Sequence, residues 1–337
     1  MAHDIKPLVI VGGPIHTAGI ELLQSEARVV IAEDLTEEGV VRAAQDAEAI
    51  LFRIKPPCTE RLMASCPKLK VVGRYGVGLD TVDLAAATRL GIAVVHAPGS
   101  NSDSVAEHAL MLMLCCVKKT IRMDRSARRG EWRGSDYRGI TELKGATLGI
   151  IGVGNIGRRV AHIARGFGMN VLGYDPYVPR DELERREVQP VSDLADLLAR
   201  ADIVTCHTPH TPETHHLISE KTIARMKDGA IFINTSRGKV QDERAVFEAL
   251  TRGKLRAAGL DVWEEEPTSL DNPLLNLDNV VCTPHVAGVS ETANRNIAVG
   301  VASEILRVLR GEKPKALGNP DLWPRLTHLR LDNRWGP

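Results

Sequence analysis

The chain has no excess of either charge, because 43 lysines and arginines stand against 43 aspartates and glutamates in 337 residues. This balance excludes the strong positive field by which proteins attract nucleic acids or anionic membranes. The N-terminus, residues 1–6, is polar, and the apolar run at residues 8–11 is too short for a signal segment or a membrane span. We therefore expect no nucleic-acid partner, no membrane association and a cytoplasmic location.

Cysteine is sparse, with six residues and no C-x-x-C pair, which favours reduced thiols over a disulfide framework. Four histidines, at positions 207, 210, 215 and 216, lie close together, but their loop lacks a carboxylate at helical spacing. We expect no metal site. No repeat of solenoid period is visible, and the chain is long enough for two ordinary domains.

Residues 147–175 contain a complete dinucleotide-binding signature. An apolar run leads into Gly152-Val-Gly154-Asn155-Ile156-Gly157, which is followed by a helical pattern and by a second apolar run that ends at Asp175. A pyrophosphate would bind the N–H groups at the start of that helix. Asp175 lies 18 residues after Gly157, where it would accept hydrogen bonds from the ribose and repel a 2′-phosphate. The sequence therefore predicts NAD as the cofactor rather than NADP.

Short apolar runs alternate with helical patterns on both sides of this signature, which predicts parallel, doubly wound sheets. The predicted strands cover residues 8–11, 28–31, 49–52, 71–74, 92–95, 203–205, 230–234, 257–260 and 280–283. We predict an α/β protein of two such domains. A Rossmann NAD-binding domain, residues 101–289, is inserted into a smaller flavodoxin-like substrate domain made of residues 1–100 and 290–337.

The connecting segments include one long helical pattern, from Ser104 to about Arg129, which is apolar almost all round between residues 109 and 117. Such a helix must be buried on several sides. A neighbouring domain or a second subunit could bury it, and the second is the more economical interpretation. We therefore predict a homodimer formed through this helix. A loop is predicted over residues 130–144 and helices over residues 218–226 and 290–309, whereas the tail after Gly311 carries no assignment.

Three predicted strands in the second half end in polar side chains. Arg237, Glu266 and His285 follow them in that order, and ligands bind at the carboxyl ends of strands in open α/β sheets. A histidine can carry a proton at neutral pH, a nearby carboxylate favours its charged form, and an arginine offers a planar fork that matches a carboxylate. The set is chemically coherent for acid–base work on an anionic substrate.

From about residue 8 to residue 311, the chain resembles the D-isomer-specific 2-hydroxyacid dehydrogenase family. The resemblance is carried by the motifs Gly73-Arg-Tyr-Gly-Val-Gly-Leu-Asp80, Asn101-Ser-Asp-Ser-Val-Ala-Glu-His108, Gly149-Ile-Ile-Gly-Val-Gly-Asn-Ile-Gly157, Asn234-Thr-Ser-Arg-Gly238, Leu260-Asp-Val-Trp-Glu-Glu-Glu-Pro267 and Thr283-Pro-His-Val-Ala-Gly288. It implies hydride transfer between the nicotinamide and C2 of a small 2-hydroxy or 2-oxo acid. In that reaction Arg237 binds the carboxylate, His285 is the acid/base and Glu266 keeps His285 protonated.

The resemblance also implies which residues bind the ligands. Asp261 is expected to bind the nicotinamide amide, and the N–H groups of Gly76, Val77 and Gly78 the substrate carboxylate, as small residues in a turn can form an anion-binding nest. The full set of expected cofactor-binding residues is Gly152, Gly154, Asn155, Ile156, Gly157, Asp175, Thr208, Asp261 and Gly288. The expected substrate-binding residues are Arg53, Arg74, Gly76, Val77 and Gly78.

The branch of the family stays open. Arg53 and Arg74 match substrate-contacting positions of phosphoglycerate dehydrogenases, but Tyr75 stands where a small residue is usual, and the sequence ends without the regulatory domain common in that branch. Glyoxylate or hydroxypyruvate reduction is equally compatible, whereas formate dehydrogenases carry Gln where Glu266 stands. A different class, the NAD-sensing corepressors that share the fold, retains the Arg, Glu and His. The lack of a protein-recognition segment favours an enzyme.

Overall fold

The structure is a computed structural model that describes residues 6–132 and 137–324. The chain forms two compact units. Unit 1 comprises the described residues up to Asn101 together with those from Ser290 onward, and unit 2 comprises Ser102–Val289. The polar N-terminus at residues 1–5, part of the loop predicted over residues 130–144 and the tail beyond residue 324 lie outside the described residues.

Unit 1 is a parallel sheet covered by helices on both faces. Its elements are β1 (Leu8–Gly12), α1 (Thr17–Glu26), β2 (Arg28–Ile31), α2 (Glu37–Ala43), β3 (Ala49–Phe52), α3 (Glu60–Ala64), β4 (Val71–Arg74), α4 (Leu84–Leu90), β5 (Ala93–Val95) and, from the other end of the chain, the helix Glu291–Leu309. The strands lie in the order β2-β1-β3-β4-β5, and each described pair is parallel. This is the flavodoxin-like order.

Unit 2 is a larger sheet of the same kind. Its elements are α5 (Ser102–Lys118), α6 (Thr120–Arg128), β6 (Thr147–Ile151), α7 (Asn155–Gly166), β7 (Asn170–Tyr174), α8 (Arg180–Arg185), β8 (Gln189–Pro190), α9 (Leu194–Arg200), β9 (Ile203–Cys206), α10 (Glu220–Ile223), β10 (Ala230–Asn234), α11 (Glu243–Thr251), β11 (Leu255–Leu260) and β12 (Val280–Cys282). The helix Glu291–Leu309 of unit 1 is then α12. The strand order β12-β11-β10-β9-β6-β7-β8 is the Rossmann order with one further strand at the β12 edge.

Apolar side chains fill both faces of each sheet, as β-branched strands without polar alternation require. In unit 2, α5 and α7 bury one face and α9, α10 and α11 the other. In unit 1, α1 and α12 bury one face and α2, α3 and α4 the other. The predicted fold class, two doubly wound parallel sheets of the Rossmann and flavodoxin-like kinds, is confirmed.

The long helix predicted from residue 104 to residue 129 is wrong in one respect, because it is two helices. Lys119 adopts a left-handed backbone with φ of 52°, which ends α5 and starts α6. No Gly or Pro marks this break in the sequence. The apolar stretch of α5 packs against α7, β10 and β11 of its own unit, so the sheet provides most of the burial that we assigned to a second subunit.

Other departures are local. The helix predicted over residues 218–226 is helical only over Glu220–Ile223, because Ile218 pairs with Gln241 in an isolated bridge. Helices α1, α3 and α8 have no individual assignment in the sequence prediction. The unassigned segment after Gly311 pairs with the edge of unit 1: the Gly318 N–H donates to the Val94 carbonyl at 2.7 Å, and the buried Asn319 accepts from the Val94 N–H at 3.0 Å.

Candidate active site

The glycine turn of unit 2 has the geometry that its sequence predicts. Gly152 adopts a φ of +87°, and a Cβ on it would meet the His207 carbonyl at 2.9 Å, so only glycine fits. A Cβ on Gly157 would lie 2.2 Å from the Gly152 oxygen, which shows how closely α7 approaches the turn. Gly154 precedes α7 as its N-cap, makes no side-chain cap, and faces open space.

The surroundings of this turn fit a dinucleotide. The first turn of α7, from Asn155 and Ile156 onward, has no side-chain cap, and nothing lies within 4 Å of a Cβ on Gly154. A helix N-terminus of this kind can receive a phosphate. Asp175 follows β7, and its carboxylate accepts from the Val153 N–H at 2.9 Å. The Thr208 hydroxyl is buried and has no hydrogen-bond partner among the described residues, as expected of a group that a ligand would satisfy.

Arg237 stands on a turn that a buried amide holds together. Asn234, at the end of β10, is fully buried and accepts from the N–H and the hydroxyl of Ser236 at 2.9 and 2.8 Å. Its amide group donates to the Arg237 carbonyl and to Gln241 Oε1, both at 3.0 Å. Gly238 has no space for a Cβ, which would lie 1.8 Å from the Trp263 carbonyl oxygen.

Glu266 and His285 form a direct pair. His285 Nδ1 lies 2.6 Å from Glu266 Oε2, and the other carboxylate oxygen of Glu266 accepts from the Trp263 N–H at 3.1 Å. Burial raises the pKa of Glu266, but the hydrogen bond from His285, the Trp263 N–H and the charge of Arg237 together bring that pKa below its ordinary value. An ionised carboxylate only accepts, so Nδ1 carries a proton and Nε2 is the ring nitrogen left to exchange protons.

Asp261 shapes the loop that carries His285. Its carboxylate is fully buried and accepts from the Thr283 hydroxyl at 2.6 Å and from the N–H groups of Val286 and Ala287, both at 2.9 Å. Its main-chain carbonyl accepts from the His285 N–H at 2.7 Å. Gly288, the last expected cofactor-binding residue, follows Ala287 directly. His285 has a φ of +54°, a left-handed conformation that is uncommon for residues other than glycine.

The expected substrate residues of unit 1 also cluster, within that unit. The Arg53 guanidinium carbon lies 5.9 Å from the centre of the Tyr75 ring. Arg74 donates to the Tyr75 carbonyl at 2.8 Å, and its Nη1 would lie 1.4 Å from a Cβ on Gly76, so the guanidinium lies against the Gly76 turn. Tyr75 itself is buried, and its hydroxyl donates to the Asn294 carbonyl at 2.9 Å.

The turn at residues 76–78 is anchored from β5. The N–H groups of Gly76, Val77 and Gly78 make no hydrogen bond among the described residues, which leaves them available to an anion. The Ala97 N–H donates to the Gly76 carbonyl at 3.0 Å, and His96 Nδ1 lies 2.7 Å from the Val77 carbonyl oxygen.

Two further findings concern other classes of site. Within residues 6–132 and 137–324, no group of three or more His, Cys, Asp and Glu side chains is arranged to hold a metal ion. In the same part of the chain, no helix is both long and apolar enough to cross a membrane.

Unit 2 combines the Rossmann strand order with a glycine turn and polar side chains at its strand ends. These features define a dinucleotide-binding protein of the doubly wound α/β class. Residues 110–287 match the sequence model of the D-isomer specific 2-hydroxyacid dehydrogenase NAD binding domain. The chain is 35% identical to the glyoxylate reductase of Korarchaeum cryptofilum, over 94% of this chain and 97% of that one. The chain belongs to the D-isomer specific 2-hydroxyacid dehydrogenase family, and its cofactor is NAD.

Two other relatives bear on its place in the family. It is 45% identical to the D-3-phosphoglycerate dehydrogenase of Methanocaldococcus jannaschii over 90% of this chain, but spans only 58% of that relative's length. It is also similar to the structure of D-lactate dehydrogenase from Aquifex aeolicus complexed with NAD and lactic acid. That likeness has a TM-score of 0.77 and 31% identity, and it covers 94% of this chain and 98% of that one.

Proposed function

We propose that the protein is an NAD-dependent oxidoreductase that interconverts a D-2-hydroxy acid and the corresponding 2-oxo acid. The observation that carries the proposal is the 2.6 Å contact between His285 Nδ1 and Glu266 Oε2 in the unit that holds the glycine turn. A histidine held in this way presents Nε2 as a proton donor or acceptor. Family membership supports the same reaction class.

The three side chains then have separate tasks. Arg237 binds the substrate carboxylate with its planar guanidinium and polarises the 2-oxo group. When bound, NADH supplies the hydride that C2 receives. His285 gives its Nε2 proton to the oxygen that becomes the hydroxyl, and Glu266 stabilises the charge of the imidazolium before that transfer. In the direction of oxidation the same nitrogen takes the proton back.

The cofactor would be held by the residues around the glycine turn, namely Gly152, Gly154, Asn155, Ile156, Gly157, Asp175, Thr208, Asp261 and Gly288. The start of α7 would receive the pyrophosphate and the Asp175 carboxylate the ribose. The engagement of Asp175 with the Val153 N–H supports this role, since it fixes the carboxylate at the end of β7. We expect the enzyme to prefer NADH to NADPH, and Asp175→Ala to reduce that preference.

The two arginines beside the turn at residues 76–78 favour a substrate that carries a second anionic group besides its carboxylate. We propose that Gly76, Val77 and Gly78 bind the substrate carboxylate and that Arg53 and Arg74 bind a phosphate. Arg74 lies against the Gly76 turn, and Arg53 stands over the Tyr75 ring, so two cations accompany one nest of N–H groups. This arrangement supports 3-phosphoglycerate dehydrogenase over reduction of glyoxylate or hydroxypyruvate.

The test is NADH oxidation by the purified protein against glyoxylate, hydroxypyruvate, pyruvate, 2-oxoglutarate and phosphohydroxypyruvate. Preference for the phosphorylated acid is the expected result. Preference for the small acids would remove Arg53 and Arg74 from the substrate site while leaving the reaction class intact. Tight NADH binding without turnover on any of these acids would overturn the proposal and favour the corepressor-like alternative, which the enzyme names of the relatives now disfavour.

We also propose that two copies form a homodimer through the region that begins with α5. Four large apolar side chains in this region are exposed: Met111 at 39%, Ile121 at 42%, Trp132 at 82% and Tyr137 at 55%. Large apolar side chains such as these are what a second copy would bury. Sedimentation should give a dimer that Ile121→Glu weakens, whereas Leu35→Glu, at a residue 40% exposed in unit 1, leaves it intact. A wild-type monomer at micromolar concentration would contradict this assembly.

The cytoplasm is the proposed location, because all six cysteines are free, and a reducing compartment keeps them so. Fractionation of the native cells, followed by detection of the protein with an antibody, tests this location. Recovery in a secreted or membrane fraction would contradict it.

A further inference from the structure

The motif that ends at His108 has no part in the proposed reaction, yet the structure connects it to the loop of His285. His108 lies on α5, one helical turn before Leu112, so the two side chains share a face of the helix. A Cβ on Gly259 of β11 would lie 2.8 Å from Leu112 Cβ, which shows that this face of α5 presses directly on the strand that ends in Asp261.

The directions of the hydrogen bonds follow from the chemistry of the three groups. The Thr283 hydroxyl lies 2.6 Å from Asp261 Oδ1. Because a carboxylate only accepts, the single hydroxyl proton of Thr283 is donated to Asp261. His108 Nε2 lies 3.0 Å from the same hydroxyl oxygen, so it must be the donor there. The result is a one-way chain from His108 through Thr283 to Asp261.

The charge state of His108 agrees with this chain. Burial lowers the pKa of His108, against the opposing pull of Asp261, which favours the neutral ring. The proton on Nε2 follows from the contact with the Thr283 hydroxyl. Direct contact between His108 and Asp261 is secondary, because Nε2 lies 3.6 Å from Oδ1.

A separate contact holds the main chain of Thr283: the Trp263 indole N–H donates to the Thr283 carbonyl at 3.2 Å.

We propose that His108 and Thr283 are positioning residues for His285. The chain of hydrogen bonds fixes the orientation of the Asp261 carboxylate. That carboxylate accepts from the N–H groups of Val286 and Ala287, the two residues that follow His285. The loop between Thr283 and Ala287 is thereby kept in the conformation that gives His285 its positive φ and directs Nδ1 at Glu266. The inference rests on the proposed role of His285.

The experiment is a double-mutant cycle. His108→Leu and Thr283→Val each remove one hydrogen bond of the chain without introducing a charge. Each should lower kcat about tenfold, as misplacement of an acid–base group does. The KM for the 2-oxo acid should change less than about twofold, since neither residue is placed against the substrate. The double variant should be no slower than the slower single variant, because both act through one chain.

Conservative variants and a control separate positioning from stability alone. His108→Gln keeps a donor at the position of Nε2 and Thr283→Ser keeps the hydroxyl, so both should recover most of the turnover lost in the Leu and Val variants. His162→Leu, at an exposed histidine on α7, is the matched control. Single variants as fast as wild type, independent effects that multiply in the double variant, or no recovery in the conservative pair would each overturn the proposal.

A spectroscopic readout keeps the test independent of turnover and of the folding of any one variant. The Nδ1 proton of His285, in a bond of 2.6 Å, should give a downfield NMR signal that disappears in Glu266→Gln. We expect the signal to broaden or move in Thr283→Val and to return in Thr283→Ser; an unchanged signal in Thr283→Val overturns the inference. Full turnover by His285→Gln would instead remove the proposed role of His285 itself, so the two failures are distinguishable.

Discussion

The side-chain amide of Asn234 donates a hydrogen bond to the main-chain carbonyl of Arg237 at 3.0 Å. Asn234 is fully buried, so the turn that presents the guanidinium is built around an amide that never meets water. The Arg237 side chain in turn donates to the Ser236 carbonyl at 2.8 Å. The position of the expected carboxylate-binding residue therefore depends on a neighbour that touches no ligand.

Asn234→Asp should weaken both the fold and substrate binding. The change replaces two N–H donors by a carboxylate oxygen that faces the Arg237 carbonyl and Gln241 Oε1, and a lost buried hydrogen bond costs about 1–3 kcal/mol. We expect a lower free energy of unfolding and a higher KM for the 2-oxo acid. The matched control is Asn279→Asp, whose amide donates to the Arg256 carbonyl at 3.2 Å. An unchanged KM in Asn234→Asp would separate the turn from substrate binding.

His285→Gln should lower kcat by about 10²- to 10⁴-fold, the usual contribution of general acid–base catalysis. Glutamine keeps a polar side chain but cannot carry the transferred proton. The measurement is steady-state NADH oxidation together with NADH binding followed by fluorescence, and binding should be retained. Turnover near that of wild type would show that another group supplies the proton.

Glu266→Gln should shift the pH–rate profile to lower pH, because the protonated form of the pair loses its carboxylate partner. In the wild type, the lowered pKa of Glu266 keeps the carboxylate ionised as the pH falls through the usual glutamate range. The contribution of this ionised carboxylate to the stability of the folded state is present above that range and is lost as the pH falls through the lowered pKa. Glu265→Gln removes the same charge from an exposed neighbour and should leave the profile where it is; equal shifts in the two variants would indicate a general charge effect.

Two glycines of α7 should respond to alanine in opposite directions. Gly157→Ala places a methyl group 2.2 Å from the Gly152 oxygen, so we expect weaker NADH binding and a loss of about 1–3 kcal/mol in stability. Gly166 faces open space, and Gly166→Ala should stabilise the helix by about 0.5–1 kcal/mol. Thermal unfolding and NADH titration of both variants are the measurements. Normal NADH binding by Gly157→Ala would contradict the close approach of α7 to the turn.

Acid should destabilise the protein through His207. Burial lowers the pKa of His207 to about 3, so the folded state holds this histidine neutral where the unfolded chain binds a proton. Between the ordinary histidine pKa and that lowered value, each unit by which the pH is lowered should reduce the free energy of unfolding by up to about 1.4 kcal/mol. Urea unfolding of wild type and His207→Gln at pH 7 and pH 5 should show a smaller loss in the variant. The exposed His162→Gln is the control.

The features that could be predicted from the sequence are those that neighbouring residues determine. The turn at Gly152 and the strand ends before Arg237 and His285 carry local signals, and the alternation of strands and helices made the two parallel sheets predictable. The break at Lys119 could not be foreseen, because a lysine has no intrinsic preference for a left-handed backbone. The partners of Asn234 and Thr283 were hidden for another reason: they are set by packing between separate elements.

Unit 1 is composed of two stretches of chain, and its core shows what the second stretch contributes. Val301 and Ile305 of α12 lie in one buried cluster with Val9 and Val71 of the sheet. The Gly318 N–H closes the β5 edge. During synthesis the ribosome releases the whole of unit 2 before it supplies these residues, so one face of the first sheet stays open while the second unit can already fold. The order of translation therefore makes the insert the earlier folding unit, and the first residues to be made are among the last to reach their native packing.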